Sequence, residues 1–294
     1  MGKPDTNIYP GAALVATGLA LHGLRKGSLS RSGAAAAWVV GYGHLAGPVK
    51  VFGVAMIAFY LLGSRATKVK AAKKAELEDG PDPAKPAGNR DWVQVLSNSL
   101  PSLAAALAYR LYADATPPLL QPGLGRQLIL AALGHFATCL GDTLASELGI
   151  LAPSRPTHVL TLAQVPPGTN GAVSPLGLAA SAAGGTLMAL VMAADLAIED
   201  ASSRSWAAAL QLLGFGTAAG LAGSLLDSLL GATLQRTLYS TTDGRILTDL
   251  SSKERETAPG VVTIGPGRNV LSNSAVNLIS ASAMAAVGFW VGGW

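Results

Sequence analysis

Apolar blocks about twenty residues long, separated by short basic or polar stretches, restrict this chain to one kind of fold. A helix needs about 20 predominantly apolar residues to cross a bilayer, and Val173 to Ile198, Trp206 to Leu234 and Val270 to Trp294 all meet that length. Half of the 294 residues are hydrophobic and only 13% are charged, which is too apolar for an ordinary soluble domain. The expected fold is all-α: a polytopic membrane helical bundle of about seven or eight membrane segments, forming one integral membrane domain over residues 1–294. Its 35 glycines, with abundant Ala and Ser and few aromatics, favour close helix–helix packing in lipid. The alternating ten-residue strands of a membrane β-barrel do not occur.

In chain order, Ile8 to Leu24 reads as a first span. Met1 to Asn7 lacks the basic start of a secretory signal, so this helix is expected to be retained. Ala34 to Gly63 is long for one helix, and Gly47-Pro48 interrupts it. Proline cannot continue the helical hydrogen-bond ladder, so two short helices are expected here, with a re-entrant hairpin as one possible form. Residues 64–92 form a basic, then acidic, cytoplasmic linker, flexible around Gly80-Pro81-Asp82-Pro83. Val93 to Ala113 reads as the next span, with Asn98 and Pro101 inside it, and residues 236–269 as a polar cytoplasmic loop. If the Ala34–Gly63 pair leaves and returns on one side, loops 25–33, 64–92, 149–172 and 236–269 share a face. They carry three, seven, one and five Lys or Arg residues, sixteen of the chain's 21. The positive-inside rule places that face in the cytoplasm.

Carboxylates interrupt these apolar blocks. Leu128 to Leu140 runs into Gly141-Asp142-Thr143-Leu144-Ala145-Ser146-Glu147-Leu148-Gly149. An ionised group at membrane depth faces a protein interior or a wet cavity by default. Asp142 and Glu147 lie roughly 140° apart on an ideal helix, so a bend or end at Gly141 or Gly149 would help them meet. The plainer alternative puts both at the wet end of a helix. Asp227 sits between Gly223 and Gly231 with Ser224 and Ser228 beside it. A lone acid bonded to serines is the simple reading, but three carboxylates in apolar segments favour a joint site.

Pro167-Gly168-Thr169-Asn170-Gly171 could offer backbone N–H groups to a phosphate, or form only an Asn-Gly turn. Asn273 and Asn277 share a helix face, suited to ligand contact or to capping and interhelical bonding. Arg65 and Lys68 could meet phosphate or lipid headgroups, or serve only as a topology signal. His44, His135 and His158 lack metal-ligand spacing, and Cys139, the single cysteine, cannot form an internal disulfide. The net charge of +4 and pI near 9.3 accompany no nucleic-acid motif, so no nucleic-acid partner is expected. A basic rim around acidic helix ends suits a phosphate-bearing ligand held with Mg²⁺.

Together these motifs resemble the integral membrane family that includes animal transmembrane protein 19 and plant phytyl-phosphate kinase. The likeness runs through Gly141-Asp142-Thr143 with Ala145-Ser146-Glu147, Gly168 to Gly171, Gly223-Ser224 with Asp227 to Ala232, and Asn273 with Val276-Asn277. It extends to Arg25-Lys26-Gly27-Ser28-Leu29, to Gly63 to Lys68, and to Arg90 with Gln94-Val95, and it skips the 75–88 linker. One departure is Ser272 and Ser274 beside the asparagines, where some members carry an acid. The resemblance implies phosphorylation of an isoprenoid (prenyl, phytyl or geranylgeranyl) monophosphate to the diphosphate, with Mg²⁺ and with CTP as donor. It implies Asp142, Glu147 and Asp227 as metal or nucleotide ligands and Gly168, Thr169, Asn170 and Gly171 as a phosphate cradle. Ser224, Asn273 and Asn277 would orient nucleotide or phosphate, and Arg65, Lys68 and Arg155 would pair with phosphate charge. The endoplasmic reticulum, with the site facing the cytoplasm, is the expected location.

Two other classes fit the same composition. A transporter would place acids and broken helices near mid-bilayer within an inverted repeat, and no internal repeat is visible. A scaffold would tolerate loss of Asp142 or Glu147.

Overall fold

The computed structural model describes residues 5–79, 89–248 and 251–294. Its helices are α1 (Pro10–Arg25), α2 (Arg31–Leu45), α3 (Val51–Ala66), α4 (Ala71–Lys74), α5 (Trp92–Ser97), α6 (Leu100–Tyr112), α7 (Leu124–Gly149), α8 (Pro175–Glu199), α9 (Trp206–Leu234), α10 (Lys253–Glu256) and α11 (Asn273–Val291). Five short strands lie in the loops: β1 (Thr157–His158), β2 (Ala172–Val173), β3 (Thr237–Ser240), β4 (Arg245–Leu247) and β5 (Val261–Ile264).

The bundle is built around α7. Every residue from Leu128 to Gly141 is buried, as expected of a helix that is apolar all round. It packs against α3, α6, α8, α9 and α11. Three helices meet closely at Gly141. A Cβ added at Gly184 of α8 would lie 2.7 Å from Gly141 Cα, and one at Gly220 of α9 would lie 2.7 Å from Ser181 O. Nothing larger than hydrogen fits this seam, and small residues let backbones approach in lipid. Gly141 therefore serves close packing and makes no bend: α7 runs unbroken to Gly149.

Among the described residues, α7, α8, α9 and α11 are long and apolar enough to cross a membrane, while α3 is apolar but shorter. The chain is thus an α-helical integral membrane protein with fewer full-length spans than the sequence blocks suggest. Two blocks fold as broken pairs. Ala34–Gly63 becomes α2 and α3 with a break over 46–50 at Gly47-Pro48. Val93–Ala113, expected as one span, splits into α5 and α6 at Asn98-Ser99, with Pro101 in the first turn of α6. The freed backbone groups find partners inside the protein. His135 Nε2 lies 3.1 Å from Asn98 O, Ser99 Oγ donates to Val95 O at 2.7 Å, and Ser102 Oγ donates to Ser99 O at 2.9 Å. Broken backbone at membrane depth is tolerated under that condition.

The four basic loops gather at one end of the bundle. Ser30 N donates to Arg90 O at 2.9 Å, and Arg90 N donates to Ser28 O at 3.1 Å. Loop 236–269 is a folded element: an antiparallel sheet in the order β4-β3-β5, with Tyr239 opposite both Ile246 and Val262. The described part of the 64–92 linker docks on it. Glu78 bridges to Ile246, and Asp79 pairs with Arg255 at 3.2 Å. Gly80-Pro81-Asp82-Pro83, expected to be flexible, lies outside the described residues, as do Met1 to Pro4 of the N-terminal stretch.

Candidate active site

A cavity of about 670 Å³ opens at this loop end, within the size range of ligand pockets. Its wall brings together Asp142 and Glu147 of α7, the Gly168–Gly171 turn, Ser224 and Asp227 of α9, and Asn273 and Asn277 of α11. Asp142 lies seven residues from the end of α7, and Asp227 seven from the end of α9. At 1.5 Å per residue, both carboxylates sit about 10 Å below the loop end. Both therefore lie nearer the loop end of their helices than the middle.

Each acid has a dedicated neighbour. Ser224 Oγ donates to Asp142 Oδ1 at 3.2 Å, and Ser280 Oγ of α11 donates to Asp227 Oδ2 at 3.2 Å. The Asn277 side chain lies between Asn98 Oδ1 at 3.3 Å and Asp227 Oδ2 at 3.2 Å. With Nδ2 turned to the carboxylate, it also donates to Asn273 O at 3.1 Å. Amide orientation is decided by such networks, and an amide oxygen has nothing to give a carboxylate. These bonds occupy one oxygen of each acid and fix its direction.

Glu147 is placed differently. It forms an ion pair with Lys74 of α4, and Lys74 Nζ also donates to Thr67 O at 2.8 Å. Glu78 stands nearby: burial raises its carboxyl above the ordinary range, the Glu147 charge adds to this, and Lys74 opposes it. The docked segment therefore favours protonated Glu78. Docking is strongest below the pH at which a free glutamate ionises and weakens as pH rises through the higher docked value. Hydrogen-exchange protection factors over residues 71–79 should rise as pH falls from neutral towards the ordinary glutamate range. Glu78→Gln should flatten that dependence, and an unchanged slope would show that Glu78 does not control docking. Replacing Lys74 with Met should lower protection over the same residues, because Glu147 loses its counter-charge and α4 its anchor.

The glycine turn is shaped by its neighbours. Gly168 has φ +88°, a left-handed conformation that glycine adopts without steric cost. A Cβ there would lie 2.8 Å from Glu78 Oε1. Two N–H groups of the turn are already used, Thr169 N donating to Pro166 O and Asn170 N to Thr237 Oγ1, and Ala172 N just after it donates to Thr169 O. The turn is therefore braced against β3 and offers less free backbone than its sequence suggests.

Arg65, Lys68 and Arg155 are exposed and do not line the cavity. Among the described residues its basic lining is Arg90 and Arg236, with Arg236 also pairing Glu256 at 3.2 Å. Arg90 was visible only through its place beside Gln94-Val95, and nothing in the pattern around Arg236 marks it. Ser280 and Glu78 were missed as well, the first because serine is common in these helices and the second because it reads as part of a solvated charge run. His158 is structural. Its Nδ1 accepts from Leu160 N at 3.4 Å and Thr161 N at 3.3 Å, and burial lowers its pKa, which keeps the ring neutral.

The donor set suits a hard cation held jointly with phosphates. Among the described residues no three of His, Cys, Asp and Glu form a metal-holding cluster. Mg²⁺, however, usually binds through one or two carboxylates plus substrate phosphates and waters rather than an all-protein cage. Asp142 and Asp227, each with one oxygen committed to a serine and one to spare, fit that role; Glu147 is held apart by Lys74.

Fold and site together define a helical membrane protein with a carboxylate-lined cavity at one end of its bundle. The chain belongs to the integral membrane protein family DUF92, which it matches over residues 14–285. Protein PGR of Arabidopsis thaliana is 33% identical over 274 residues, covering 92% of this chain and 91% of the relative. An uncharacterised membrane protein of Methanocaldococcus jannaschii is 33% identical over 108 residues, 37% of this chain and 41% of its own length. No solved structure matches the chain significantly.

Proposed function

We propose that this protein is an isoprenoid-monophosphate kinase, transferring the terminal phosphoryl group of a nucleoside triphosphate, CTP by resemblance, to a membrane-borne prenyl phosphate. The observation that carries this reading is one cavity that joins Asp142, Asp227, Asn273 and Asn277, near the loop end of their helices, to an apolar lining that includes Leu19, Val40, Met56 and Phe136. An oxygen of the acceptor monophosphate attacks the terminal phosphorus, a new P–O bond forms, and the bond to the β-bridging oxygen breaks to release the nucleoside diphosphate. The acceptor phosphate is already anionic near neutral pH, since its second pKa is about 6. No strong general base is needed. The difficulty is bringing two polyanions together, so positioning and charge neutralisation dominate.

Asp142 and Asp227 would hold Mg²⁺, which supplies neutralisation of the donor phosphates. Ser224, Ser280 and Asn277 orient those carboxylates, while Arg90 and Arg236 offer positive charge to phosphate oxygens. Gly168 to Gly171 lets backbone and ligand approach closely. The excess of Lys and Arg at this end supports a cytoplasmic site, and the endoplasmic reticulum is the proposed membrane. The test is purified protein in detergent with Mg²⁺, labelled CTP or ATP, and phytyl or geranylgeranyl monophosphate. Lipid diphosphate formed preferentially from CTP is the expected result. Folded protein that turns over no prenyl phosphate with either nucleotide would overturn the reading.

A further inference from the structure

Below the carboxylates the cavity continues into an apolar arm. It is walled by Leu19 of α1, Ala37 and Val40 of α2, Met56 and Ile57 of α3, and Phe136 of α7. From Thr67 at the mouth to Met56 is eleven residues along α3, about 16 Å at 1.5 Å per residue. That is close to half of a hydrocarbon core about 30 Å thick. At the bottom the Phe59 and Phe136 rings stand 6.1 Å apart and Phe136 is fully buried, so the arm has a floor. Its side is open. Helix α1 packs along α2, and α2 meets α3, but α1 and α3 share no extended face although both line the arm. Leu61 of α3, one helical turn on from Ile57, is exposed, as a lipid-facing residue would be.

Resting on the kinase reading, we propose that the arm holds the single hydrocarbon chain of the phosphate substrate. The chain slides in from the bilayer between α1 and α3, and the floor of Met56, Phe59 and Phe136 limits its length. Continuity carries the argument: one cavity joins phosphate-compatible groups near the loop end to apolar side chains of α1, α2, α3 and α7. An apolar occupant is also the one that costs least in a slot that otherwise exposes Met, Ile and Phe side chains.

The decisive experiment is photo-labelling of the wild-type chain in detergent with hexadecyl phosphate carrying a diazirine at its chain end, followed by peptide mapping. Labels on the Met56–Phe59 stretch or on Phe136 are expected, competed by unlabelled geranylgeranyl monophosphate and not by butyl phosphate. No label, or labels only on outward residues such as Leu190 and Leu210, would overturn the proposal. Ala37→Trp fills the arm and should reduce specific labelling at least tenfold while Mg–CTP binding stays within twofold. Labelling equal to wild type would count against the arm. Binding and turnover are read separately: an arm labelled as expected in a protein without kinase activity sinks the kinase reading alone, and turnover with the chain end labelled elsewhere sinks the arm alone.

Discussion

Asp227→Asn should reduce prenyl-phosphate kinase turnover by about 10³-fold or more while the protein remains folded. The substitution keeps the side-chain volume and an oxygen able to accept from Ser280, so the α9–α11 contact survives. It removes the negative charge and leaves an amide beside the amide of Asn277. If Asp227 is a metal ligand, kcat falls, and raising Mg²⁺ recovers part of the loss. Asp142→Asn should behave alike. The orienting residues should cost less: Ser224→Ala and Ser280→Ala remove a hydrogen bond to a ligand, and such outer partners typically contribute 10–100-fold. Similar small losses for all four variants would argue that the acids serve packing. The measurement is steady-state kinetics against Mg²⁺, with size-exclusion profiles to establish folding.

The second large effect is on assembly. Gly184→Ala should lower the Tm in detergent by roughly 5 °C, because its Cβ would sit 2.7 Å from Gly141 Cα, against backbone that cannot turn aside. Overpacking of this kind costs about 1–3 kcal/mol, and Gly184→Leu should not yield a monodisperse protein. Gly214→Ala is the internal control: no atom lies within 4 Å of an added Cβ there, and Ala favours helix. Its Tm should be unchanged or slightly higher. Equal destabilisation by both alanine substitutions would show that the cost comes from losing glycine itself rather than from the seam.

The helical class and the meeting of Asp142, Asp227, Asn273 and Asn277 were legible because polar side chains in apolar runs need a reason to be there. Asp142 and Glu147 reach one cavity although α7 makes no bend at Gly141 and ends only at Gly149. The break at Pro48 was readable from proline chemistry. The break at Asn98-Ser99 was not: hydropathy averages over it, and Pro101 is also compatible with a continuing span. The weight given to Arg65, Lys68 and Arg155 rested on charge and proximity in sequence, which do not say where a loop folds. Glu78 and Arg236 act through long-range contacts with Gly168 and loop 236–269, and sequence spacing carries no trace of those.

Gly141 and Asp142 are adjacent, yet a substitution at each would fail for unrelated reasons. A larger residue at 141 should separate α7, α8 and α9 and lower the amount of protein in the membrane, whereas on the proposed kinase reading a neutral residue at 142 should leave abundance intact and remove activity. A saturation scan read once for abundance and once for product would therefore draw a sharp line between two neighbouring codons. Any drift in sequence at this point of the helix is hemmed in from both sides, with Asp142 mounted beside backbone that has no room to move.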